Sequence, residues 1–157
     1  MKALVVYDSV FGNTEQVARA IGDSLGAESK AIRVGDARHE ELKGLSLLVV
    51  GSPTRAFRPT KPISQFLDSI PRNALKGVKV AAFDTRGSEA ELNKTMFGAL
   101  VKVFGYAAKP IADKLVKRGG KLVVPPEGFI VEGTEGPLRS GELERAAAWA
   151  KQIIGAQ

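Results

Sequence analysis

Apolar positions in this chain follow two rhythms. Near-continuous apolar runs at residues 2–7, 45–50 and 78–83 read as strands buried on both faces, as in a parallel sheet covered by helices. Between these runs apolar residues recur every three or four positions. Val17, Ala18, Ile21 and Leu25 predict a helix over residues 14–25, stopped at Gly26. Ile63, Phe66, Leu67 and Ile70 predict a second, with Pro62 in its first turn, Thr60 near its cap and Pro71 at its end. Ser88-Glu89-Ala90-Glu91 reads as a capping box before a third, whose stripe is Leu92, Met96, Leu100 and Val103. Ile111, Leu115 and Val116 mark a fourth over 110–118, broken by Gly119-Gly120. Leu143, Ala146, Ala147, Ala150 and Ile153 mark the last, over 142–154. A weaker strand at 29–34 belongs near an edge, and a fifth at 121–124 is interrupted by Pro125-Pro126 and resumes at 128–132. Alternating strands and helices imply an α/β fold with a parallel sheet and right-handed crossovers.

Composition narrows the function classes. At 157 residues, 44% hydrophobic and 25% charged, the chain has the make-up of one globular domain spanning 1–157. No apolar run approaches the roughly 18 residues of a membrane span. The apolar start is too short for a signal peptide, so a cytoplasmic protein without membrane contact is expected. Cysteine is absent, which removes disulfides, iron–sulfur ligation and thiolate nucleophiles. The one histidine, His39, reads as a surface residue, and no carboxylate cluster has calcium-loop spacing, so no metal site is expected. The net charge of +6 favours an acidic partner. Nucleic acid is not expected, because the basic residues do not interleave with aromatics.

In an open parallel sheet, ligands bind beyond the carboxyl ends of the strands. That rule selects residues 8–14, 51–60 and 84–88 and the tail of the fifth strand. The first segment reads Asp8-Ser9-Val10-Phe11-Gly12-Asn13-Thr14. Ser9, Asn13 and Thr14 bring side-chain donors, Gly12 admits close backbone approach, and the helix that follows presents unpaired N–H groups to an anion. The loop holds no lysine or arginine. This suits one terminal phosphate held by neutral dipoles and suits a polyphosphate with Mg²⁺ poorly. Neither GxxxxGK(S/T) nor GxGxxG occurs in the chain.

Ser9-Val10-Phe11-Gly12-Asn13-Thr14 resembles the phosphate loop of flavodoxins, (T/S)-x-T-G-x-T, in the variant with an aromatic at the third position. Gly51-Ser52-Pro53-Thr54 resembles the second flavin loop of that family, and Gly136-Pro137-Leu138 with residues 141–146 is similar to small microbial flavodoxin-like proteins. The resemblance covers the whole chain. It implies a flavodoxin-like doubly wound five-stranded parallel sheet of order 2-1-3-4-5 with helices on both faces. It also implies non-covalent FMN and electron transfer between redox partner proteins, by a monomer or weak dimer. FMN carries the redox chemistry, so no side chain is expected to act as acid or base.

The resemblance further implies a phosphate site at Ser9, Val10, Phe11, Gly12, Asn13 and Thr14. Pro53, Thr54, Arg55, Ala56 and Phe57 would line the flavin, and Asp84, Thr85, Arg86 and Gly87 would form a third loop. Two departures stand out. Phe11 replaces a hydroxyl, and the third loop lacks the aromatic that stacks on the flavin in many members. Phe57 is therefore the expected stacking side chain, with Arg55 or Arg86 beside the ring. Arg55, Arg58, Lys61 and Arg86 together set positive charge around the proposed flavin. The short third loop leaves room for a second substrate, so a flavodoxin-like NAD(P)H:quinone reductase is the alternative. A scaffold that has lost flavin is a further one. A receiver domain would need an Asp at the end of the third strand, where Gly51-Ser52-Pro53 stands.

Overall fold

The computed structural model describes residues 1–88 and 105–156. Its strands are β1 (Ala3–Tyr7), β2 (Ser29–Arg33), β3 (Leu47–Pro53), β4 (Lys79–Gly87), β5 (Lys121–Leu122) and β6 (Glu127–Val131). Its helices are α1 (Asn13–Leu25), α2 (Lys61–Ser69), α3 (Ala108–Lys117) and α4 (Glu142–Gly155). The strands run parallel in the order β2-β1-β3-β4-β5, and β6 also pairs with β4. β5 lies beside Lys79 and Val80, while β6 lies beside residues 83–87. The fifth position of the sheet is thus filled by two segments. Pro125-Pro126 between them cannot donate to a ladder. This is the expected 2-1-3-4-5 sheet with its fifth strand split. The expected helix bearing Glu89, Leu92, Met96, Leu100 and Val103 lies outside the described residues.

Successive strand residues point to opposite faces. Leu4, Val6, Leu48, Val50, Val80 and Ala82 pack against Ile63, Phe66 and Leu67 of α2 and Ile111 and Leu115 of α3. Val5, Tyr7, Val49, Ala81 and Phe83 pack on the other face against Val17 and Ile21 of α1 and Ala146, Trp149 and Ile153 of α4. Each fully buried Leu, Ile, Val or Phe contributes about 1.5–3 kcal/mol to this arrangement. Phe83, Phe129 and Trp149 meet edge to face, with centroids 6.0–6.1 Å apart. The Phe83 ring crosses β3 at Gly51, where a Cβ would lie 2.0 Å from its Cζ. Glycine at 51 is therefore a packing requirement.

Two side chains expected inside are outside. Val116 is 47% exposed and Leu143 is 38% exposed. In α4 the inward place at the first turn belongs to Glu142, whose Oε2 accepts the Ile130 N–H at 2.7 Å and pairs with Arg145 at 2.7 Å. That bond fixes the rotation of the helix against β6 and turns Leu143 to solvent. In α3 the stripe Ile111, Ala112 and Leu115 fills the interface, leaving Val116 beyond its edge. Thr60 does precede α2, but its side chain makes no capping bond.

Gly51→Ala is expected to cost about 1–3 kcal/mol in denaturant unfolding, because the Phe83 ring must leave its rotamer. Gly87→Ala, where an added Cβ meets nothing within 4 Å, is expected to cost far less. A second expectation concerns acid stability. The Arg145 guanidinium holds the Glu142 carboxyl below the ordinary glutamate range, against burial that pushes it up, and the Ile130 N–H adds to the lowering. A carboxylate lowered in the folded state contributes stability above its unfolded pKa and loses it as pH falls through the folded one. Glu142→Gln should therefore cost about 1–3 kcal/mol at neutral pH. The difference from wild type should shrink as unfolding is followed into acid.

Candidate functional site

The register Tyr7–Gly51–Phe83 sets the carboxyl ends of β1, β3 and β4 side by side. Between them and the segment after β6 lies a cleft of about 410 Å³, within the usual range of small-ligand sites. Of the residues expected from sequence, Val10, Phe11, Asn13, Thr14, Pro53, Thr54, Arg55, Thr85, Arg86 and Gly87 line it. Ser9, Gly12, Ala56, Phe57 and Asp84 do not. Val131, Gly133 and Thr134 complete the wall. The strand-end rule points to this last segment only as a stretch of chain, because nothing in its residue types marks it.

The loop after β1 is built around Ser9. Its Oγ accepts the Gly12 N–H at 3.1 Å and the Glu15 N–H at 3.3 Å. Both lone pairs are thereby used, and the hydroxyl hydrogen remains to be donated. Gly12 takes a left-handed conformation, φ 96°, at the N-cap of α1, which favours glycine. Asn13 Nδ2 donates to the Glu135 carbonyl at 3.1 Å, tying the loop to the segment after β6. The Thr14 and Thr85 hydroxyls bond to each other at 2.8 Å, joining the first loop to β4. Arg33 on the edge strand braces the loop from outside. It donates to the Ser9 carbonyl at 3.0 Å and pairs with Glu15 at 3.2 Å and Asp8 at 3.5 Å. Sequence reasoning missed Arg33, since its neighbours become visible only when β2 is placed beside β1.

The expected third loop is not a loop. Asp84, Thr85, Arg86 and Gly87 form the last four residues of β4 and pair with β6. Asp84 is fully buried and faces away from the cleft. Its carboxylate takes two bonds from Arg86 at 2.7 Å each and one from the Ala108 N–H at 2.9 Å. The Thr54 hydroxyl accepts the Ala107 N–H at 3.2 Å. Helix α3 begins Ala107-Ala108-Lys109-Pro110 without a capping side chain of its own, so its first donors are satisfied by β4 and the second loop. That missing cap was the sequence signal available. Burial pushes the Asp84 carboxyl up from the ordinary range, and Arg86 and the Ala108 N–H oppose it.

Arg86 is committed by the same contacts. Its guanidinium lies 3.6 Å from the centroid of the Tyr106 ring. On the strand side it presses on Gly128, where a Cβ would lie 2.2 Å from Nε. Its charge is matched by Asp84, so of the four cations expected to set positive charge around the flavin this one is neutralised. Phe57 differs from expectation too. Arg55 and Arg58 exchange two backbone hydrogen bonds at 2.8 and 3.0 Å. Ala56 and Phe57 thus form the tip of a tight turn, with φ 49° and 70°. The aromatic that lines the cleft is Phe11, with the Arg55 guanidinium 6.0 Å from its centroid. Arg86→Gln is expected to cost about 3–5 kcal/mol, since it leaves a buried carboxylate without its counter-charge. Asp84→Asn combined with Arg86→Gln should recover part of that loss in denaturant unfolding.

Among the described residues, no helix is long and apolar enough to cross a membrane. A flavodoxin family model matches residues 5–149. The chain is similar to an archaeal flavodoxin at 26% identity and TM-score 0.76, covering 99% of this chain and 97% of that one. It is also similar to flavodoxin 2 from Bacillus cereus, at 24% identity and TM-score 0.75 over 99% of both chains. A WrbA-like flavodoxin from Agrobacterium tumefaciens aligns at 17% identity and TM-score 0.72, over 98% of this chain and 95% of that one. With the family model spanning most of its length, the chain belongs to the flavodoxin family.

Proposed function

We propose that this FMN-binding electron-transfer chain seats its FMN in the cleft between the ends of β1, β3 and β4, with the phosphate on the loop of residues 9–14. The carrying observation is the Ser9 hydroxyl. Its acceptor capacity is spent on Gly12 and Glu15, so it meets an anion only as a donor. The Asn13 and Thr14 N–H groups at the start of α1 have no acceptor among the described residues. Together with the helix dipole they form an anion site. Among the described residues, none lining the cleft is acidic, so none of them repels a phosphate.

The remaining contacts shape the flavin end. Pro53, Thr54 and Gly87 offer backbone walls, Phe11 an aromatic face and Arg55 a cation. Thr54 is fixed by its backbone N–H to the Thr85 carbonyl at 3.0 Å and by its hydroxyl to α3. When bound, FMN supplies the redox chemistry, taking up and releasing electrons for protein partners. The side chains bind, orient and exclude water, and none is needed as acid or base. A cytoplasmic setting and a monomeric or weakly dimeric carrier complete the proposal.

Ser9→Ala is expected to weaken FMN binding about 10- to 100-fold, equivalent to about 1–3 kcal/mol. Riboflavin, which lacks the phosphate, should bind the variant as it binds wild type. Isothermal titration of both ligands checks this. An equal loss for riboflavin would assign Ser9 to loop shape alone, and no loss for FMN would remove the phosphate from this loop.

A further inference from the structure

Beside the first cleft lies a second, of about 710 Å³, between the second loop, α2 and α3. Val10 and Arg55 line both. Arg58, Lys61 and Lys114 add three further cations to the second, against the carboxylate of Asp68 alone among the described residues that line it. Asp68 is taken by Lys114 at 2.6 Å. The nearby Asp113 is taken by Lys109 at 3.2 Å. Arg55, Arg58 and Lys61 are exposed and form no ion pair among the described residues. At the shared edge Val10 is 50% exposed and Phe11 45%. An apolar centre with a rim of one charge sign suits a transient protein encounter. Pro59, Leu67 and Pro110 also line this cleft, so a small polar ligand finds less to bond there than an acidic protein finds along the exposed cations.

We propose that this face is the docking surface for an acidic one-electron redox protein. The proposal rests on FMN occupying the first cleft, because Val10 and Arg55 then lie against both the flavin and the partner. Unpaired arginine and lysine on one flank orient an acidic partner before contact, and the apolar edge excludes water at the crossing point. Contacts of this kind stay small and release quickly. Each productive encounter moves one electron from the partner's reduced centre to the flavin, or back.

The test uses an acidic [2Fe–2S] ferredoxin as probe and the FMN-loaded protein. Two double variants change net charge equally, Arg58→Glu with Lys61→Glu on the face and Lys117→Glu with Lys121→Glu away from it. Lys117 and Lys121 line neither cleft, and Lys121 lies beside Lys79 at the start of β4, the opposite end of the sheet. FMN affinity is measured first on all three proteins and should be the same. Stopped-flow reduction of the flavin by reduced ferredoxin should be fast in wild type and slow as salt rises. It should be about tenfold or more slower in the face variant at low salt, with the salt dependence lost or reversed. The distal variant should stay within about twofold of wild type. Equal slowing in both variants would reduce the effect to net charge and overturn the proposal, as would an unaffected face variant. Bleaching of the flavin by NADPH alone, abolished in the face variant, would give the cleft to a dinucleotide and overturn it as well. Titration of oxidised ferredoxin onto each protein without FMN reads docking apart from electron transfer. Failure of the FMN site and failure of the docking face are therefore told apart.

Discussion

Because β1, β3 and β4 are covered by helices on both faces, their backbone groups are consumed in ladders and their side chains in two cores. Up to Tyr7, Val50 and Phe83 the side chains of these strands, Lys79 apart, are buried and hydrophobic. Only where the strands end does backbone become available, and parallel strands end on the same side. The register then decides which residues meet. Tyr7, Gly51 and Phe83 are level, so the loops that follow them open onto one cleft. The position of the site is thus a consequence of two-sided burial before any binding residue is considered.

Holding those loops still is a separate task, and buried polar groups perform it. Asp84 joins β4 to the start of α3 and to Arg86, which in turn rests on Gly128 and Tyr106. The Thr14–Thr85 pair ties the first loop to β4, and Asn13 ties it to the segment after β6. Asp84, Thr14 and Thr85 are buried, where an unpaired polar atom is costly and a satisfied network is rigid. A carrier gains from such rigidity, since a site that does not rearrange between oxidation states spends little free energy on each transfer.

Much of this was legible in the residues. Two-sided burial leaves near-continuous apolar runs, so β1 and the first parts of β3 and β4 stood out, and helical stripes gave α1 and α2. The strand ends were not legible. β3 continues through Gly51, Ser52 and Pro53, and β4 through Asp84 to Gly87, and these residues look like turn formers until their partners are known. Asp84 read as a ligand contact because a buried carboxylate is recognised only by its counter-charge and by the helix it caps. Sequence shows that Phe11 and Phe57 are both near the site but not that Phe57 lies at the tip of a turn while Phe11 lines the cleft. The build of the loop after β1 was legible because its contacts are local. Ser9, Gly12 and the first turn of α1 are adjacent in sequence and act together.

Pairing also redistributes the charge. The sequence sets Arg55, Arg58, Lys61 and Arg86 near the cleft, but Asp84 matches Arg86, and Asp8 and Glu15 match Arg33. Among these and the other described residues around the cleft, what stays unopposed is Arg55, Arg58 and Lys61, in the second loop and at the start of α2. The proposed phosphate end is the reverse case, a cradle of N–H and O–H groups braced from outside by the paired charges of Arg33, Asp8 and Glu15. These two kinds of electrostatics respond differently to the medium. Dipoles at hydrogen-bond distance act inside the first solvent layer and are little screened. Exposed cations act over a Debye length of about 8–10 Å and weaken as salt is added. A protein that must keep its cofactor while releasing its partners benefits from placing neutral dipoles under the first and bare charges before the second. In the proposed arrangement the two lie on either side of a single cleft edge, where Val10 and Phe11 are exposed.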